Sequence, residues 1–403
     1  MTTTLPVYDP GSPGFLEDPY PHFAELRALA PVHRSLGFWV LTRYEDVDLV
    51  LRDRRFERGW DRRVEVMGLS PRAHDSAALA TQRLWILHQD PPDHTRLRGL
   101  VNKAFTPRTV ERMRGRVEAI AARLLDAIDG DEVDLVREFA YPLPVTVISE
   151  LLGVGADDPA DFGRWSAEVT PSLQPSVTPE ALRRADEAIG RFVAFFDAQV
   201  ERRRRAPGDD LLTGLIAVEE QGDRLSRDEL VAMCIQLCIA GFETTTSLLG
   251  SAVYSLLRFP DQLRLLRERP ELLPNAVEEF LRFEAPILTT SRRAREPVEI
   301  CGQLVEADEM VLACIGAANR DPERYDRPDE LLVDRPAPRP ISFGAGIHHC
   351  LGAGLARLEA EIALRALLDR FERIEPAGEE PRWRNFQALR SLGELTVRVS
   401  RRA

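Results

Sequence analysis

Apolar residues recur at helical spacing over most of this chain, and the breaks in that spacing mark its organisation. Residues 14–30 carry a helical pattern, and Phe38-Trp39-Val40-Leu41, bounded by Gly37 and Arg43, predicts a short strand. From Asp93 to Phe280 the pattern is mostly helical, divided by Pro142, Pro144, Pro171, Pro175 and Pro179. One segment is unusually long. Ser226-Arg227-Asp228-Glu229 is a capping box, in which Ser226 and Glu229 each satisfy a first-turn N–H. Apolar residues then continue to Leu257, and Pro260 stops the helix. About thirty residues at 1.5 Å each give roughly 45–50 Å, enough to cross a domain. Leu237, Ile239, Ala240 and Phe242 leave little room for a solvated face, so its middle is expected to be buried.

Beyond Pro286 the texture changes. Val298 to Cys301 and Met310 to Ala313 predict hairpin strands around Gly302 and Asp308. Arg320 to Pro340 holds five prolines and many charges, which predicts an irregular segment. A helical pattern returns from Leu351 to Phe371, and Leu395 to Val399 reads as a last strand. The expected fold class is mainly α, one domain over 1–403, with a small β-rich region from residues 31–58, 287–314 and the C-terminal strands.

Composition narrows the possibilities. The 403 residues are 44% hydrophobic and 29% charged, enough to bury a sizeable core. A net charge of −12 argues against a nucleic-acid partner. Lys103 is the single lysine among 53 basic residues, so no phosphate-binding loop ending in Gly-Lys-Ser/Thr exists, and Schiff-base chemistry would fall to Lys103 alone. The N-terminus has no basic-then-apolar signal pattern, and the apolar run Leu230 to Phe242 is too short to span a bilayer. A soluble, cytoplasmic protein with no membrane partner is expected. Five cysteines (Cys234, Cys238, Cys301, Cys314 and Cys350), an odd and scattered set, fit a reducing compartment.

One cysteine sits in a motif. In Phe343-Gly-Ala-Gly346-Ile-His-His-Cys350-Leu-Gly352, glycines allow tight turns and close approach of a bulky ligand, and a helix begins immediately afterwards. A cysteine near a helix N-terminus is favoured as thiolate, which serves as a nucleophile or a metal ligand. Gly352-Ala-Gly354-Leu-Ala-Arg357 resembles a dinucleotide fingerprint but places Arg357 at the third small position and lacks a preceding parallel strand. A zinc site from His348, His349 and Cys350 lacks the usual ligand spacing. A thiol nucleophile with a distant histidine stays open on spacing alone.

The spacing Phe343-x-x-Gly346-x-x-x-Cys350-x-Gly352 resembles the haem-binding loop of the cytochrome P450 superfamily, the haem-thiolate monooxygenases. Asp90 to Arg98 (DPPDHTRLR), Ala240-Gly-Phe-Glu243-Thr244, Glu279-Phe-Leu-Arg282 and Asn319-Arg-Asp-Pro322 occur in the same order as in that family, so the resemblance covers nearly the whole chain. It implies haem b (heme b, iron protoporphyrin IX) held between a long distal helix and a proximal cysteine-loop helix, with Cys350 as the iron ligand. An anionic thiolate pushes electron density onto iron and favours O–O cleavage.

The other roles follow from the same resemblance. His94, Arg98, Arg292 and His348 would hold the haem propionates, with His349 facing away and Arg293 on the opposite strand face from Arg292. Phe343, Gly346 and Gly352 would shape the loop. Glu279 and Arg282 would form a buried lock with Arg335, and Glu243 and Thr244 would supply protons during O2 activation, with Gly241 and Thr244 bending the long helix. The remaining four cysteines read as core. Met67 to Trp85, Trp165 to Leu173, Phe242, Ile287 to Thr290, Ala388 and Leu389 would line a pocket for a small organic substrate, hydrophobic or moderately polar. The implied activity is a monooxygenase of specialised metabolism, hydroxylating or epoxidising that substrate as a monomer. Electrons would come from a ferredoxin or flavodoxin, with Arg96, Lys103 and Arg357 as basic contacts. A peroxide-using variant or a haem-thiolate sensor is the alternative; neither needs Glu243-Thr244.

Overall fold

The computed structural model describes residues 5–66, 75–154, 159–174, 177–219 and 225–402. They group into two compact units built from separated stretches of chain. One takes the described parts of Met1–Glu57, Leu125–Ala140 and Thr244–Ala403, and the other Arg58–Leu124 and Tyr141–Glu243. The division falls inside the long helix, between Glu243 and Thr244.

The first unit holds every strand among the described residues. A five-stranded sheet is ordered β1 (Val32–Ser35), β2 (Phe38–Leu41), β8 (Met310–Cys314), β5 (Thr289–Ala294), β3 (Phe56–Glu57). A three-stranded sheet is ordered β4 (Glu132–Asp134), β10 (Thr396–Arg401), β9 (Phe371–Pro376), and β6 (Val298–Ile300) with β7 (Gln303–Val305) forms a separate hairpin. Strand β8 runs parallel to β2 and antiparallel to β5, with all five of its residues buried.

The strand pairing corrects the expected hairpin. Val298–Ile300 does not fold back onto Met310–Ala313; it turns at Cys301 and Gly302, with φ of +50° and +74°, onto β7. Two consecutive left-handed residues favour a tight two-residue hairpin connection. A strand buried on both faces, as β8 is, belongs at the centre of a sheet. Cys301 is accordingly exposed at a turn rather than in the core, while Cys234, Cys238 and Cys314 are buried as expected.

One face of the larger sheet packs on the helix Tyr44–Arg52. Trp39, Leu41, Val47, Val50, Leu51, Val311 and Ala313 share a core cluster with Ile341 and Ala345, which lead into the cysteine loop. The loop therefore starts from this core cluster. The expected irregular segment contains no helix or strand between Ala318 and Gly346, and the helix that follows the cysteine runs Ala353–Arg370. The N-terminal helix is shorter than the pattern indicates, Tyr20–Leu29, because Pro19 sits at its start.

The regular elements of the second unit are all helices among its described residues. The helix Pro179–Arg205 packs on Pro159–Val169 through an aromatic cluster: Phe162 meets Phe195 edge-on at 4.9 Å and Trp165 meets Phe192 at 5.2 Å. The long helix spans Arg227–Arg258, opened by the expected capping box. The Ser226 N–H donates to Glu229 at 2.7 Å and the Glu229 N–H to Ser226 Oγ at 3.2 Å. As a whole helix it is long and apolar enough to cross a membrane, unlike its central run alone. With 72% of its apolar window buried in protein, it is a core helix.

Candidate functional site

Cys350 is placed by a loop whose backbone is set by glycines. Gly344 and Gly346 adopt φ of +69° and +67°, conformations that cost other residues strain. A Cβ at Gly346 would also run into the Leu51 carbonyl oxygen, so the loop lies directly against the end of the Tyr44–Arg52 helix. The Gly344 N–H donates to Ile341 O at 2.8 Å, and the Cys350 N–H returns to Phe343 O at 2.8 Å. Phe343 is held under the Arg357 guanidinium, 4.4 Å from the ring centroid, and Arg357 is itself paired with Glu278 at 2.5 and 3.2 Å.

The Cys350 side chain is exposed, three residues before the helix Ala353–Arg370. Burial raises the thiols of Cys234 and Cys238, the first to about 12, and also raises that of Cys314. Those three are inert core groups. Cys350, accessible and close to the positive end of a helix dipole, has the chemistry of a thiolate ligand. A Cβ at Gly352 would meet nothing within 4 Å, so the position beside the cysteine is open to a bulky group. These features fit haem held through the Cys350 thiolate.

The remaining expected residues of this unit divide by face. Arg292, on β5, is 4% exposed; its Nη1 donates to Ser291 O at 2.8 Å and Thr290 Oγ1 at 3.4 Å. Arg293 faces the other way, paired with Glu57 and, at 3.3 Å, with Asp308. Strand alternation thus separates the two arginines as the pattern requires. In the short 3-10 turn Gly346–His348, His348 is half-buried, whereas His349 is exposed.

The Glu279 lock is fully formed. Arg282 Nε and Nη2 donate to the two Glu279 carboxylate oxygens at 2.7 and 2.8 Å, and Arg335 Nε reaches both at 3.1 and 3.0 Å. Glu279 and Arg282 are completely buried. Spare guanidinium donors go to the carbonyls of Asn319, Pro328, Arg327 and Glu330, all within 3.0 Å. This pins the irregular segment, and Asn319 carries the constraint onward. Its Oδ1 accepts from the Ile341 N–H at 2.8 Å and its Nδ2 donates to Ser342 Oγ at 2.7 Å, at the root of the cysteine loop.

In the second unit, His94 and Arg98 share one face of the helix Asp93–Ala104, with His94 buried and Arg98 half-buried. Burial, and then the Arg98 charge, lower the His94 pKa, so its imidazole is neutral at pH 7. Ahead of the helix, Asp90 accepts from the Arg58 and Gly59 N–H groups at 2.7 and 3.2 Å. Arg96 pairs with Glu229 and, at 3.7 Å, with Asp93.

On the long helix Glu243 is 3% exposed and Thr244 half-buried. Most of the helix middle is buried as expected, apart from one face. Leu237, Ala240, Gly241 and Thr244, spaced 3, 1 and 3 apart on one helical face, are exposed or half-buried, while Phe242, Thr245 and Thr246 are buried. Gly241 brings this helix against its neighbour, since a Cβ there would stand 3.3 Å from Ile148. The helix is continuous through Gly241 and Thr244. Small residues at Ala240 and Gly241 keep this stripe open beside the acid Glu243 and the alcohol Thr244.

Of the expected pocket residues, 67–74 lie outside the described residues; so does Pro175, one of the prolines expected to divide the helices. Ile287 and Leu389 form a bridge, and the Leu288 N–H donates to Ala388 O at 2.7 Å, so those two stretches meet. In the other unit Trp85 and Phe242 are buried, Trp165 is half-buried, and Gln82 Nε2 donates to Ser172 Oγ at 2.7 Å. Sequence patterns gave no signal for the buried group Tyr20, Glu284, Arg320 and Arg390, because it joins four distant stretches of chain.

The comparisons agree with this architecture. The Cytochrome P450 family model matches residues 39–393. The 6-deoxyerythronolide B hydroxylase of Saccharopolyspora erythraea is 43% identical over 408 residues, covering 98% of this chain and 99% of that protein. The Vitamin D(3) 25-hydroxylase of Pseudonocardia autotrophica is 40% identical over 412 residues, covering 100% and 99%. Among solved structures, the tirandamycin C-bound P450 monooxygenase TamI matches with a TM-score of 0.87 at 39% identity, covering 98% and 99%. The chain belongs to the cytochrome P450 family and is a haem b monooxygenase.

Proposed function

We propose that this chain inserts one oxygen atom from O2 into a bulky, mostly apolar organic molecule of specialised metabolism. Two electrons and two protons are consumed and water is released with the hydroxylated or epoxidised product. The observation that carries the site assignment is Cys350: an exposed thiol at a helix start, on a loop whose glycine turns are fixed from below by the Glu279 lock. Haem, when bound, supplies the reductive activation of O2.

Cys350 would hold the iron as thiolate, with the Ala353–Arg370 helix stabilising its charge. His94 and Arg98, and separately Arg292 and His348, would supply the donors that propionate carboxylates need. Phe343, Gly346 and Gly352 shape the loop. Thr244 orients the hydrogen-bond network at the O2 site, and Glu243 passes protons to it. Substrate is contacted by the Ala388–Leu389 turn, and its mostly apolar character is in keeping with the 6-deoxyerythronolide B, vitamin D(3) and tirandamycin C of the relatives' names. The chain acts as a single cytoplasmic catalytic domain and takes electrons from a ferredoxin or flavodoxin.

Thr244→Ala tests the proton role. We expect reduction and substrate binding within about twofold of the parent, with product per electron pair falling roughly 10–100-fold and hydrogen peroxide rising in its place. Unchanged coupling in this variant would remove Thr244 from proton delivery.

A further inference from the structure

We infer that Arg390 is a positioning residue for substrate: it pins the turn Ala388–Leu389 to the protein interior, and so fixes where substrate stands relative to Thr244. This rests on the proposed function in one respect, that the turn contacts substrate.

Arg390 lies immediately after that turn and is 5% exposed. Its side chain leads away from the turn, and every nitrogen is used. Nε donates to Glu284 Oε2 at 3.0 Å, Nη1 to Leu16 O at 2.7 Å and Nη2 to Glu17 O at 2.9 Å. The guanidinium also lies over the Trp383 ring at 3.5 Å. Glu284 accepts from Tyr20 Oη at 2.9 Å and faces Arg320 at 3.7 Å. Arg320 is in turn stacked on Tyr20 at 3.4 Å and bonded to Phe283 O at 2.7 Å. One buried carboxylate between two guanidiniums, with carbonyls taking the surplus donors, is a satisfied network, and such networks hold one geometry.

The main chain of Arg390 fixes two more elements. Its N–H donates to Pro286 O at 2.8 Å, beside the Ile287–Leu389 bridge that leads into β5. Its carbonyl accepts the hydroxyl of Ser247. Ser247 is three residues beyond Thr244 on the long helix, about 4.5 Å along its axis. The substrate turn and the proton-delivering threonine therefore share one tie.

The polar ties act together with packing at this turn. A cavity of about 20 Å³ lies against it, lined by Leu16, Trp383, Gln387 and Leu389 among others, with room for one water. On that side the polar ties of Arg390 hold the turn beside the cavity.

Arg390→Lys and Ser247→Ala test this in the haem-loaded protein. Arg390→Lys keeps the charge but loses the fork, and Ser247→Ala removes only the tie to the carbonyl, leaving the buried charges intact should the first variant fold poorly. The probes are 4-phenylimidazole, which ligates haem iron and must fill the pocket, and imidazole, which ligates iron without reaching the turn. We expect 4-phenylimidazole to bind roughly five- to tenfold more weakly in both variants, with imidazole within about twofold. Amide exchange should accelerate at residues 384–392. A normal thiolate signature in the ferrous–CO spectrum with both 4-phenylimidazole affinity and exchange unchanged overturns the positioning role. A parent protein without that signature overturns the proposed function instead.

Discussion

Cys350 differs from its four counterparts in surroundings rather than in chemistry. Cys234, Cys238 and Cys314 are buried among apolar side chains that raise their thiol pKa, and Cys301 is an exposed turn residue whose sulfur accepts from Arg43 Nη1 at 3.4 Å. Native haem-free protein should therefore give a maleimide two thiols, at positions 301 and 350, and all five only after unfolding. Mass spectrometry of the labelled peptides reads this, and rapid native labelling at 234, 238 or 314 would contradict the packing described. Haem loading should then protect position 350 alone. At this scale the motif was legible because Gly344 and Gly346 must be glycine, one for its φ and the other also for the Leu51 backbone beneath it. Cys301 was not legible. Its strand-like context carries no sign that the chain turns with positive φ at cysteine itself.

Elements were legible where local pattern governs them. The capping box opened the long helix where expected, and Pro260 follows its end. Strand partners were not, because pairing is a non-local choice: the β8 segment has the same period whether it closes a hairpin or runs beside β2. The Glu279 lock stands between these cases, since an i, i+3 pair is visible in sequence but its burial is not. Removing one partner of a buried, hydrogen-bonded pair strands the other charge. Glu279→Gln is thus expected to lower stability by about 3–5 kcal/mol and to weaken haem retention, because Asn319 transmits the lock to Ile341 and Ser342. Urea denaturation and haem-loss kinetics read the two effects. A variant as stable as the parent would reduce the lock to an ordinary ion pair.

Across the whole molecule the net charge of −12 coexists with a composition in which nearly all cations are arginine. Many of those arginines are already engaged: Arg96 with Glu229, Arg357 with Glu278 and Phe343. Lys103, by contrast, is exposed and has no ion pair among the described residues. Lys103→Glu should therefore slow reduction by an acidic ferredoxin roughly three- to tenfold at low salt, with the difference fading as salt rises. Stopped-flow reduction checks it, and a salt-independent rate equal to the parent's would exclude Lys103 from that contact. The reaction class was readable from ordered motifs; the substrate was not, since its contacts come from stretches with no shared spacing. The proposed chemistry rests on one bond, from Cys350 to haem iron. The most direct measurement is the CO difference spectrum of the dithionite-reduced, haem-loaded protein. The parent is expected to show the red-shifted Soret band of thiolate ligation, and Cys350→Ala to lose it; a Cys350→Ala protein that keeps the band would contradict the account.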